Sequence, residues 1–256
     1  MNDNFRKQNG KRFTRNDVQA YIMRGHLPEY LGGNEIVVTP KKHCTIVIVY
    51  DFETGGLPSK EKQAFLDIPL VEMAMSCIDM KKLEIIDRVE MIFPYNYKEG
   101  LAGYSEEATS VHGITKEVQD ENAVPLKEIY GTCKKWFAKY KNPRQMCTLV
   151  GHNIVGFDNP FLKNFFAYMN DDIDNYVKYY IDTMQFAHMA ALEQMDYKLG
   201  TCCQAAGIDL VEAHRAQHDV DANAMLFISY VKKLRGEGVE TVQKKERRYR
   251  EDFQLC

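Results

Sequence analysis

Two carboxylates spaced two apart, Asp51 and Glu53, close a continuous apolar run from Ile46 to Tyr50. Side chains alternate along a strand, so both acids share one face while Phe52 takes the other. Aligned carboxylates without a basic partner repel each other, and a proton or a cation between them removes the repulsion. Hard oxygen donors of this kind favour Mg²⁺ or Mn²⁺. Two more acids stand at element boundaries: Asp158 in GHNIVGFDNPFL, just before an Asn159-Pro160 helix start, and Asp219 in AHRAQHDVDANAMLF, five residues after His214. Five residues of one helix turn through about 500°, or ~140° net, which would face the two side chains apart. His214 is therefore expected in the loop that precedes the helix. There a histidine can take a proton from water while the carboxylates hold the ions that polarise it.

Each of these residues has a plainer reading when taken alone. Asp51 and Glu53 could be exposed acids at a loop entry, and Asp158 a capping group. His214 and His218, four apart, would suit zinc if both lay on one helix, although no third nitrogen or sulfur ligand stands nearby in sequence.

The elements that must position these groups follow from patterning. Cys44 to Tyr50 is a continuous run rich in β-branched residues and predicts a central strand buried on both faces, stopped by Thr54-Gly55-Gly56. Pro69 to Ile78 and Leu83 to Phe93 read as a hairpin around Asp79 to Lys82. Helical spacing covers Pro125 to Tyr140, and Cys147 to Gly151 reads as the next strand. Asn159 and Pro160 predict the N-cap and first turn of a helix through Met169. Further expectations are a strand at Tyr179 to Asp182, helices at Thr183 to Leu192 and Leu199 to Ala206, and a last core helix from Asp219 to Leu234, with Met225 on its apolar side. Alternating strands and helices predict an α/β domain.

A chain of 256 residues with 45% hydrophobic residues can build a full core. Its net charge of −3 is unevenly spread. Residues 1 to 42 hold eight Lys and Arg against four acids, and residues 231 to 256 hold eight against five, so the body between them is acidic. An acidic body suits metal binding, and basic ends would help to hold a polyanion. The organisation read from this is a basic N-terminal arm (1–42, with a helix near Asn16 to Arg24), a domain (43–234) and a basic C-terminal tail (235–256). Seven scattered cysteines without a CxxC pair indicate reduced thiols. With no signal-peptide core and no membrane-length apolar run, no membrane is expected, and the expected setting is cytoplasmic, with a viral or organellar one as the alternative.

VYDFETGGL, GHNIVGFD and HRAQHD, in this order and spacing, resemble the three motifs of the DEDDh branch of the DnaQ-like 3′-to-5′ exonucleases. LVEMAM, SVHGIT, IDTMQFA and YKLGTCCQAAGIDL add secondary similarity, and the resemblance covers about residues 44 to 234. It implies an RNase H-like mixed β-sheet flanked by α-helices. It also implies hydrolysis of phosphodiesters at single-stranded 3′ ends, releasing nucleoside 5′-monophosphates with two divalent cations, Mg²⁺ or Mn²⁺. Carried over residue by residue, Asp51, Glu53, Asp158 and Asp219 would hold the metals and His214 would be the general base.

Thr54, Gly55 and Leu57 would meet the terminal nucleotide, with His112 and Asn153 as further substrate contacts. Phe157 and Tyr197 could stack on bases, although core packing is the plainer job for Phe157. Glu72, inside an apolar run, should be buried beside the site or paired. The expected substrate is single-stranded DNA in proofreading or repair, with a DNA polymerase or other replication protein as a candidate partner. RNA trimming is the first alternative. A nucleic-acid-binding or polymerase-attached module that has lost catalysis is the second, against which stands the presence of all five acid and base positions.

Overall fold

The β-branched run becomes the middle of a sheet. In a computed structural model the described residues are 45–101, 104–142, 146–190, 196–209 and 214–236, with four short strands nearer the N-terminus. Those four, β1 (Phe5–Arg6), β2 (Arg12–Phe13), β3 (Glu29–Leu31) and β4 (Glu35–Val37), form a sheet in the order β2-β1-β4-β3 within a separate unit of residues 1–45. The helix expected at Asn16 to Arg24 and the tail beyond residue 236 lie outside the described residues.

The second unit is built on five strands: β5 (Ile46–Thr54), β6 (Leu70–Asp79), β7 (Glu84–Ile92), β8 (Cys147–Gly151) and β9 (Val177–Asp182). Their order is β7-β6-β5-β8-β9. The β7-β6-β5 pairs are antiparallel and β5-β8-β9 are parallel, so the sheet is mixed as expected. The hairpin turn between β6 and β7 is held by Asp79, whose Oδ1 accepts from the Lys81 and Lys82 amides at 2.8 and 3.2 Å.

Alternation along β5 sorts the core. Ile48, Tyr50 and Phe52 face α3 (Leu126–Tyr140) and α4 (Asp158–Tyr168), where Ile129, Phe137, Phe161 and Phe165 are fully or almost fully buried. Val47 and Val49 point the other way, onto Ala216, Val220, Ala224 and Phe227 of α7 (Ala216–Leu234), a helical face at spacings of four, four and three. The acids that continue this second series, Asp51 and Glu53, thus lie on the side of the sheet covered by α7. Before it, α5 (Thr183–Ala190) and α6 (Leu199–Ala205) pack through Ala187, Cys202 and Cys203 against Ala222 and Leu226. Five described cysteines are free and buried.

Several expectations need correction. Helix α7 starts at Ala216, three residues before Asp219, because Glu72 of β6 accepts the Ala216 amide at 2.9 Å and so caps the helix from another element. Met225 is half-exposed and not part of the apolar side. Helix α4 begins at Asp158 with Phe157 at its cap position, and Asn159 does not cap it, since the Asn159 Oδ1 accepts the Tyr50 hydroxyl instead. Two short helices, α1 (Glu106–His112) and α2 (Lys116–Asn122), were not read from periodicity at all. Their signals were local, with Ser105 and Thr115 as side-chain caps and Gly113 closing α1 at φ 70°. Among the described residues no helix is long and apolar enough to cross a membrane.

Gly151 ends β8 where it runs against β5. A Cβ there would lie 1.8 Å from the Ile154 Cγ2 and 3.1 Å from the Tyr50 carbonyl oxygen. Gly151→Ala should therefore destabilise the fold by about 1–3 kcal/mol, read as a lower urea midpoint with an unchanged slope.

Candidate active site

The last residues of β5 and the first turn of α7 bring three predicted ligands together. Asp51, Glu53 and Asp219 each offer a carboxylate oxygen, and these oxygens all lie within 4.8 Å of one another. Strand period two aims the first two, and Asp219 comes from the opposite side on a helix whose N-terminal dipole favours a negative charge. Asp158 sits deeper. It is 1% exposed, and its Oδ1 accepts the Phe52 amide at 3.1 Å, which fastens the start of α4 to β5 between the two other acids. It lies outside the group of three, though close enough for its charge to act on Asp51.

Burial and mutual repulsion together push these acids towards protonation. Burial raises the Glu53 carboxyl to about 8, with Asp219 and Glu72 adding to the rise. Burial likewise raises Asp158 to about 7, against the Phe52 amide that opposes it. Asp51 rises well above the carboxylate range through burial and then Asp158 and Glu53, and Asp219 rises through burial despite the His214 amide. An all-oxygen donor set whose charges repel so strongly fits a divalent cation.

His214 lies in the loop before α7, as expected. Its backbone is in the left-handed region, φ 73°, which turns its amide onto the Asp219 Oδ2 at 3.0 Å. The side chain is exposed at the edge of the site. Because His214 and His218 do not share the helix, the zinc spacing has no geometric basis, and neither residue is in the ligand group.

Glu72 is both buried beside the site and paired, as expected. It is fully buried, opposite Glu53 in the β5-β6 register, and ion-paired to Arg215 at 2.9 Å. The same guanidinium nitrogen reaches Glu90 of β7 at 2.9 Å. Burial would raise the Glu72 carboxyl, but the bonds from Arg215 and the Ala216 amide outweigh it and hold the pKa below its ordinary value. The residue next to His214 is thus fixed to the sheet. Asp182 was missed. At 5% exposure it organises the turn after β8, its Oδ1 accepting the Asn153 and Met184 amides at 2.9 and 3.0 Å.

Two cavities border the acidic cluster, one at Glu53 and the other at Asp219. One, of about 640 Å³, is lined by Glu53 and by the predicted contacts Thr54, Gly55, Leu57, His112 and Phe157. Leu57 is 78% exposed at its mouth, whereas Gly55 is buried and a Cβ there would meet Pro69 at 2.6 Å. His112 is 3% exposed. Its Nδ1 accepts the Ile114 amide at 3.0 Å, so in the neutral ring Nε2 carries the proton, and Nε2 has no hydrogen-bond partner among the described residues. The second cavity, of about 780 Å³, is lined by His214 and Asp219. Asn153 opens onto this one, apart from the other predicted substrate contacts.

A family model described as "Exonuclease" (RNase_T) matches residues 48–227, more than half of the chain. Ribonuclease T of Marinobacter nauticus is 31% identical over 195 residues, 73% of this chain and 83% of that protein. The DNA polymerase III PolC-type of Bacillus cereus is 28% identical over 193 residues, 75% of this chain. The chain spans only 12% of that polymerase. Among solved structures, E. coli Exonuclease I in complex with a dA16 oligonucleotide aligns at TM-score 0.59 and 18% identity, over 74% of this chain and 41% of that one.

Two outcomes follow from this geometry. A carboxyl whose folded pKa is raised favours folding while protonated; for Glu53 that contribution is full below 4.5 and lost as pH rises through about 8. In EDTA, Glu53→Gln should therefore gain a few °C of Tm over the parent as pH goes from 5 to 8, and Mn²⁺ should favour the parent; differential scanning fluorimetry reads both. Arg215→Ala should cost about 2 kcal/mol in urea unfolding, the figure for a broken buried pair discounted for the exposure of Arg215, whereas Glu90→Gln should cost less than about 0.5.

Proposed function

The chain belongs to the exonuclease family, DnaQ-like hydrolases of the RNase H-like superfamily, and from that premise we propose that it removes nucleotides stepwise from single-stranded 3′ ends. The observation that carries the proposal is the convergence of Asp51, Glu53 and Asp219 between two cavities of nucleotide size. In this reading Asp51, Glu53, Asp219 and the deeper Asp158 hold the divalent cations, Mg²⁺ or Mn²⁺. Bound cations supply the charge that lowers the pKa of the attacking water and stabilises the leaving 3′ oxygen. His214 receives the proton of that water on a ring nitrogen, and its exposed edge position lets it pass the proton to solvent.

The first cavity takes the terminal nucleotide. Gly55 brings the backbone close, Leu57 wedges against the base, Thr54 flanks the sugar and Phe157 forms one wall. Burial lowers the pKa of His112, keeping it a neutral donor whose unpartnered Nε2–H suits a sugar or phosphate oxygen.

Our first choice of polymer is DNA, supported by similarity to the PolC-type polymerases and by the DNA-bound fold neighbour. The same similarity supports a polymerase or other replication protein as partner, in a cytoplasmic setting, with the basic segments 1–42 and 235–256 extending the contact with substrate or partner. RNA is the second reading, favoured by the ribonuclease T match over 83% of that protein.

The test is a 5′-labelled single-stranded DNA and a matched RNA, each incubated with Mg²⁺, Mn²⁺ or EDTA and resolved at single-nucleotide steps. The expected result is a metal-dependent ladder shortening from the 3′ end, faster on DNA, abolished by Asp51→Asn and slowed about 10²–10⁴-fold by His214→Ala. Faster RNA trimming would exchange the two polymers, and no cleavage of either would leave a binding module.

A further inference from the structure

Asp219 is repelled by Asp51 and Glu53, so whatever fixes α7 on the sheet also decides whether the three acids stay together. Ala216, Val220, Ala224 and Phe227 hold the helix down by apolar contact, which has no direction and leaves its roll unset. Directional ties set it. On one side of β5, β6 holds α7 through Glu72, which accepts the Ala216 amide at 2.9 Å, and through Ser76, whose hydroxyl donates to Asp221 at 2.8 Å. A helix pinned along one edge can still roll about that edge. On the other side of β5 stand β8 and β9, and there Thr183 makes a tie.

Thr183 opens α5 and is fully buried. Its Oγ1 stands 2.7 Å from the Asn223 Oδ1, 3.1 Å from the Gly151 carbonyl oxygen and 3.0 Å from the His152 Nδ1. The threonine is itself held in place. Asp182 beside it accepts the Asn153 and Met184 amides at 2.9 and 3.0 Å, and His152 reaches the Tyr197 carbonyl through Nε2 at 2.7 Å. Asn223 is buried four residues beyond Asp219 on α7, about 40° round the helix and ~6 Å along it. Gly151 ends β8, which runs parallel to β5 with Leu149 against Ile48 and Val150 against Val49. One hydroxyl thus connects the turn of α7 that follows Asp219 to the strand beside the one that carries Asp51 and Glu53. A buried polar pair among apolar neighbours such as Ala222, Ala224 and Leu226 adds little net stability over apolar groups of the same shape, and what it supplies is registry.

We propose that Thr183 and Asn223 are positioning residues of the metal site: their buried bond fixes the roll of α7 and keeps the Asp219 carboxylate beside Asp51 and Glu53 against their mutual repulsion. This role rests on the reading of Asp219 as a metal ligand. Without the bond the helix stays on the sheet, held by its apolar face and by β6, while the acidic cluster opens. Divalent-cation affinity then falls in a protein that is still folded.

Mn²⁺ alone, titrated into the folded protein and followed by the EPR signal of the free ion, reads that affinity without any substrate. Thr183→Val removes the hydroxyl and Asn223→Leu removes its partner. Each should weaken Mn²⁺ binding about tenfold, the lower end of the range for groups that orient metal ligands, and because the two act through one bond the double variant should be no more than about twofold weaker than either. Thr183→Ser keeps the hydroxyl and should bind within about twofold of the parent. Phe137→Leu, in the core on the other face of the sheet, should lower the urea midpoint and leave Mn²⁺ affinity unchanged. Affinities within about twofold of the parent's in Thr183→Val and Asn223→Leu, or in either alone should the other not fold, would overturn the positioning role and leave the metal site standing. An equal weakening in Phe137→Leu would overturn it too, since lost stability would then account for the effect. A parent that binds no Mn²⁺ would overturn the metal site and the positioning role with it.

Discussion

Everything at this site depends on holding like charges together. Three carboxylates converge within 4.8 Å and a fourth lies just behind them, in surroundings where burial raises the pKa of every one. No interaction among the acids favours that arrangement without a proton or a cation. The apolar face does the holding: Val47 and Val49 of β5 pack against Ala216, Val220 and Phe227 of α7, and the same two elements end in Asp51, Glu53 and Asp219. Stability made in the core is thus spent in part on an active site that is unfavourable on its own, as is common where chemistry needs convergent charge.

The placement of α7 shows how far this goes. A helix that starts beside acids would ordinarily have its own cap, yet Arg215 at the cap position makes no such side-chain bond. Glu72, fully buried on β6, accepts the Ala216 amide and pairs with Arg215, so one carboxylate satisfies an orphan helix donor and balances a guanidinium at once. The tie passes through the residue between His214 and Ala216. The His214 loop is therefore set by the sheet, and its strained φ of 73° is maintained from both sides: by the Asp219 carboxylate that takes its amide, and by the anchored Arg215 that follows it.

Much of this was legible in the sequence because it depends on period and order. The β-branched run fixed the central strand, period two put Asp51 and Glu53 on one face, and the turn angle of a helix forced His214 into a loop. Illegible features were those in which a side chain answers to another element. Nothing local to Asn159 says that Tyr50 will claim its oxygen, and nothing local to Arg215 says that Glu72, 143 residues away, will cap the helix after it. Helices α1 and α2 were missed for the opposite reason: seven residues are too few to show a period, although Ser105, Thr115 and Gly113 carried capping signals. Asn153 was grouped with the other substrate contacts by motif, and the fold turned it to the second cavity because the amide beneath it is bonded to Asp182.

The two histidines of the site differ in how their protons are governed. His112 is buried, and burial lowers its pKa; Glu72 pulls the other way and Arg215 lowers it further. With Nδ1 taken by the Ile114 amide, the ring is left with one proton, on Nε2, facing no partner among the described residues. A buried donor left unsatisfied costs about 1–3 kcal/mol. His214, by contrast, is exposed, and its backbone amide is held by the Asp219 carboxylate. The Glu72–Arg215 pair acts on both: it fixes the backbone of one histidine and contributes opposing charges around the other. A buried imidazole with its proton fixed on one side of the carboxylates, and an exposed imidazole on the other, give the site two chemically different flanks.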